Sequence, residues 1–222
     1  MIVVIGQPVL REGTSGSAVG GLPGRIAVAA AALGRPVQLV GTAGEDEAGD
    51  AVLLDLAKAG VGHVAILRKA GERTAVLPAQ EEEAEVDATT PAEMGPATAA
   101  LDAGDVDLAL RYLPDIGVLV LAENVAEDVV RVVSSAAGWA DSLLVVIQAP
   151  GASLTGALPD DAIVFEAPES DDGAFASMVG AFVAALDEGE EPASAFRDSA
   201  ASVGWSPAGP DRTDATESES AD

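Results

Sequence analysis

Short, fully apolar runs alternate along this chain with segments of helical periodicity. That alternation restricts the fold more than any other feature. Residues 2–5 (IVVI), 37–40 (VQLV), 64–67 (VAIL), 116–121 (IGVLVL) and 143–147 (LLVVI) read as strands, with weaker ones at 74–77 and 162–165. Between them lie helical patterns. An Ala-rich stretch at 25–33 closes on Gly34, and 46–59 carries Val52, Leu53 and Leu56 on one face and stops at Gly60. A short helix is expected at 105–113. Asn124 and Glu127 have the spacing of a capping box for the next helix, and Gly138 marks its end. Phe175, Met178, Val179, Phe182, Val183 and Leu186 fall on one helical stripe that ends at Gly189. Pro192 then suits the first position of a last helix reaching about residue 203. Strands that are apolar at every residue must be buried on both faces. The pattern therefore predicts an α/β sandwich, with a mainly parallel sheet of six to eight strands between helix layers.

Composition narrows the function. The 222 residues carry 37 Asp+Glu against 11 Lys+Arg, a net charge of −26. Nucleic-acid binding and attachment to anionic lipid both need a basic footprint, yet 74–110 and 132–196 contain no Lys or Arg. With no Cys there is no disulfide, thiolate metal site or cysteine nucleophile. The single histidine, His63, follows Gly60-Val61-Gly62 and reads as a surface turn residue. No apolar run approaches the ~20 residues of a membrane helix, and the start MIVVIG reads as a strand and not a signal peptide. A cytoplasmic protein is expected. Two lysines among abundant carboxylates suit either a high-salt cytoplasm or a GC-rich genome. Residues 206–222 hold five acids, one Arg and several Pro, Gly and Ser, and are expected to form a disordered tail behind one domain at 1–205.

The segment from Gly20-Gly21 through the Ala-rich helix to Leu33-Gly34 leads into Gly41-Thr42-Ala43-Gly44-Glu45-Asp46-Glu47-Ala48-Gly49. Over residues 1–77, including Arg73-Thr74, this resembles the PfkB/ribokinase family of sugar and nucleoside kinases. The resemblance implies a ribokinase-like three-layer αβα sandwich, here shortened, with a small β lid near 14–19 and 74–77 through which a homodimer can form. It implies Mg and ATP as cofactors if the protein is active, and a small sugar or nucleotide as ligand. Gly20, Gly21, Arg11, Glu12 and Arg25 fall at its substrate-binding positions. Arg11 stands where members place an Asp, and Arg25 where they place an Asn.

The second family signature is rewritten. Members begin a late helix with Gly-Ala-Gly-Asp, whose backbone cradles phosphate and whose Asp is the general base. Aligned on Phe175, this chain has Ser170, Asp171 and Asp172 at the Gly-Ala-Gly and Gly173 at the Asp. Ser170 and Gly173 are the nucleotide-binding candidates. Asp171 and Asp172 are open to three readings: a helix N-cap, a displaced catalytic base, or a magnesium ligand. No confident catalytic residue and no metal site follows. The family's Asn-x-x-Glu is absent from the loop after Pro150, and one strand–helix unit is missing. Two functions are expected to compete. One is a family member with impaired or absent phosphotransferase activity that binds a ligand or a partner. The other is an active ATP-dependent kinase of a sugar or nucleoside hydroxyl.

Overall fold

The computed structural model describes residues 1–13, 16–77, 97–122, 125–151, 158–168 and 173–204. In chain order, β1 (Ile2–Ile5) leads to β2 (Val9–Gly13), β3 (Gly16–Gly20), α1 (Gly21–Ala32), β4 (Val37–Gly44), α2 (Glu47–Lys58), β5 (Ile66–Lys69) and β6 (Val76–Leu77). The chain continues with α3 (Ala103–Arg111), β7 (Val118–Leu121), α4 (Glu127–Ala140), β8 (Leu143–Gln148), β9 (Ile163–Glu166), α5 (Ala174–Asp187) and α6 (Pro192–Val203).

Six strands form one parallel sheet in the order β5-β4-β1-β7-β8-β9. Alternate residues of β1 face opposite ways, as a pleated strand requires. Ile2 and Val4 join a core built with α1, α2, α5 and α6, whereas Val3 and Ile5 join one built with α3 and α4. The result is the three-layer αβα sandwich. A second, three-stranded sheet has the order β3-β2-β6, with β2 antiparallel to β3 and parallel to β6. Phe165, Phe182 and Phe196, on β9, α5 and α6, form a cluster with ring centroids 5.3–6.3 Å apart. At the amino edge of the main sheet, the side chain of Asp187 is almost fully buried, paired with Arg35 and with the Met1 amine. Burial opposes its ionisation, but hydrogen bonds from that amine and from Arg35 outweigh it and hold the carboxyl below its ordinary range.

Several expectations shift. The strand expected at 64–67 begins at Ile66, because Ile66 N–H closes a turn on the His63 carbonyl at 3.1 Å. The strand expected at 74–77 shrinks to Val76–Leu77, because the Thr74 N–H goes to the Asp46 carboxylate at 2.8 Å. α3 starts earlier than expected, with Asp102 and Asp105 forming its capping box. Asn124, the cap expected for α4, lies outside the described residues. The N-cap of α4 is Ala126, Glu127 is the first helical residue and pairs with Arg131, and the helix passes Gly138 to end at a left-handed Asp141. α5 has Gly173 as its N-cap, so neither Asp171 nor Asp172 holds that position. The tail expected at 206–222 also lies outside the described residues. Among the described residues no helix is long and apolar enough to cross a membrane.

Candidate functional site

β1 and β7 are neighbours, but the chain leaves β1 towards α1 on one face and β7 towards α4 on the other. Such a reversal opens a crevice outside the carboxyl ends of the two strands, the usual ligand position in open α/β sheets. A cleft of about 600 Å³ lies there, lined by Gln7 after β1, Ala122 after β7, Thr98, Val9, and Gly21 and Leu22 at the start of α1.

Local chemistry fixes its walls. The Gln7 amide is held at both ends by fully buried Thr42: Nε2 donates to the Thr42 carbonyl, and Thr42 Oγ1 donates to Oε1, both at 2.8 Å. Gly41 lets the ends of β1 and β4 come this close, since a Cβ there would sit 2.6 Å from the Gly6 carbonyl oxygen. Gly20 is the N-cap of α1, with no side-chain cap and no acid in the first turn. Gly21 adopts φ +72°, which glycine takes at little cost.

The Gly44–Gly49 loop ties the body to the small sheet. Asp46 caps α2 by accepting from Gly49 N–H at 2.8 Å. It also accepts from Thr74 Oγ1 at 2.7 Å and Thr74 N–H at 2.8 Å, while Gly44 N–H donates to Thr74 Oγ1 at 3.0 Å. Burial pushes the Asp46 pKa up, but the Thr74 and Gly49 hydrogen bonds, with Arg68 nearby, pull harder and leave it below the usual carboxylate range.

The expected site residues divide between two places. On β2, Val9 and Arg11 share one face of the strand, Leu10 and Glu12 the other. Val9 lines the first cleft, so Arg11 faces its side and Glu12 faces away. Gly20 makes room for this arrangement, because a Cβ there would meet the Arg11 Cβ at 2.9 Å. Arg25 and Gly173 line a second cleft, of about 610 Å³, between β3, α1, α2 and α5, beside the Lys58–Asp55 ion pair at 3.1 Å. Gly173 has φ +111° and open space where a side chain would stand. Ser170, Asp171 and Asp172 lie outside the described residues. Gln7, Thr98 and Ala122 escaped the sequence reading. They carry no motif, and only the strand order marks their loops.

Among the described residues no three His, Asp or Glu side chains gather closely enough to hold a metal ion.

A family comparison decides the ancestry: residues 4–154 match the pfkB family carbohydrate kinase model. The chain belongs to the pfkB family of carbohydrate kinases. No curated protein matches it. Solved structures similar to this pfkB-family chain share its fold at low identity. Arabidopsis thaliana ribokinase, complexed with ribose and ATP, aligns with a TM-score of 0.63 at 14% identity, over 91% of this chain and 90% of that one. Aminoimidazole riboside kinase from Salmonella enterica aligns at 0.60 and 16% identity, over 91% and 90%. An uncharacterised sugar kinase from Pyrococcus horikoshii aligns at 0.50 and 17% identity, over 66% of this chain and only 54% of that one. This chain therefore spans about half the length of that relative.

Proposed function

We propose that this pfkB-family chain binds a carbohydrate-class ligand in the cleft at the β1/β7 switch point, with the small sheet as its lid, and lacks ordinary phosphotransferase activity. The supporting observation is Gly173. Aligned on Phe175, it falls where the sequence resemblance implies the general base; it has no side chain to take a proton, and its φ of +111° disfavours any residue that has one. The cleft itself supports the binding half of the reading: it is apolar, with Gln7 held rigid at its floor and the unacidified start of α1 at its side.

The test is a paired assay on the full chain. Thermal shift with a panel of pentoses, hexoses and nucleosides should raise the melting temperature for at least one compound, since ligand at 100 times Kd adds about 2.7 kcal/mol. ATP consumption over the same panel should stay at background. Turnover that disappears in Asp171→Ala or Asp172→Ala, with the fold intact, would overturn the second half and make this an active kinase with a displaced base.

A further inference from the structure

We infer that the ligand of the first cleft carries an anionic group, as a sugar acid or a sugar phosphate does, and that Arg11 is the residue that selects it. The inference rests on reading that cleft as the ligand site.

Two observations carry it. The first is local charge. The chain has 37 Asp+Glu, yet no carboxylate lines the cleft among the described residues. In a sequence of net charge −26, the carboxylates among the described residues are held back from this wall. The second is Arg11. Arg35, Lys58, Arg68, Lys69, Arg111 and Arg131 are each paired with a carboxylate. Arg11 makes no ion pair among the described residues, although acids outnumber bases more than threefold in this sequence. It is exposed, on the strand face that Val9 presents to the cleft and about 7 Å further along the strand. The missing side chain of Gly20 leaves its stem in place.

A planar guanidinium offers two parallel N–H donors that match a carboxylate or phosphate. It gains far less from a neutral hydroxyl. An arginine without an ion pair among the described residues, beside a cleft that none of their carboxylates lines, is therefore set to discriminate by charge. Glu12 lies on the opposite face of the strand.

Isothermal titration of the full chain at fixed ionic strength, with glucose, gluconate and glucose 6-phosphate and with the matching ribose series, tests this. At least one anionic sugar should bind tenfold or more tightly than its neutral parent and than inorganic phosphate. Whether the carboxylate or the phosphate series wins identifies the anion. Arg11→Gln should remove that preference, Arg11→Lys should restore part of it, and Arg197→Gln, an arginine on α6 without an ion pair among the described residues, should leave it unchanged. Neutral sugars binding as tightly as anionic ones, or a preference that survives Arg11→Gln, overturns the inference while leaving the ligand cleft standing. Inorganic phosphate binding as tightly as the sugar phosphate overturns it as well. If no compound of either series binds, the cleft is not a sugar site, and both readings fall.

Discussion

Both oxygens of Asp46 are in use, and they join parts of the chain 28 residues apart. Asp46→Ala should cost about 1–2 kcal/mol through the lost helix cap alone, read as a lower urea midpoint. Thr74→Val should destabilise as well, since it removes the hydroxyl that donates to Asp46 and accepts from the Gly44 N–H. The double substitution should cost less than the sum of the two, because each single one already breaks the shared bonds. The pH response has a defined sign. The Asp46 pKa is lower in the folded chain than in the unfolded one, so its contribution is complete above about pH 3.9, the free carboxyl value. It fades as the pH falls through the folded value. Acid unfolding of Asp46→Asn should therefore show a weaker pH dependence on that limb. Asp46 was legible in the sequence as the acid of a Gly-x-x-Gly-x-Asp-x-x-Gly run. Its partner was not, because no local pattern announces which distant threonine will donate to it.

At the scale of elements, the tightest packing joins α1 to α5. A Cβ on Gly180 would lie 2.5 Å from the Ala29 Cβ and 3.0 Å from the Ala30 backbone nitrogen. The Ala-rich face of α1 and this glycine thus allow the two helices to approach backbone to side chain. Gly180→Val should force them apart and cost about 1–3 kcal/mol, as overpacked cores do, seen as a lower melting temperature. Ala29→Gly should return part of that loss in the double variant. The apolar stripe of α5 gave its helical character and its C-terminal glycine correctly, and Pro192 gave the start of α6, whose cap, Glu191, the sequence reading did not single out. Gly180 sits inside that same stripe without standing out, because its purpose depends on a helix more than a hundred residues away. The start of α4 misled for a different reason. Asn124 and Glu127 have the spacing of a cap, but spacing alone does not fix which residue first turns helical. The small sheet was foreseen only as fragments. Its strands are short and polar, and their pairing is set by the body they lie against.

For the whole molecule, the net charge of −26 acts over distances that solvent ions control. At 0.01 M salt the screening length is about 30 Å, spanning much of the domain, and at 1 M it is about 3 Å. Stability should therefore rise as potassium chloride is added across that range, as measured by urea midpoints at fixed pH. A flat response would remove the case for adaptation to high salt. The parallel sandwich was legible from continuously apolar strands, whereas the order of those strands, and with it the position of the cleft, was not. Order depends on which faces the connecting helices cover, and each strand looks alike along the chain. The placement of β1 also governs the order of assembly. It precedes the other strands of this sheet along the chain, yet it lies in the middle of the sheet, between β4 and β7. Its second flank stays open until Val118 has been made, and the helix that packs on α1 comes later still. A chain wired this way closes its longest loops last and folds slowly for its size. During synthesis, the hydrogen-bonding edge that finally meets β7 is a bare, apolar strand edge, which the growing chain must shield until more than half of its length has emerged.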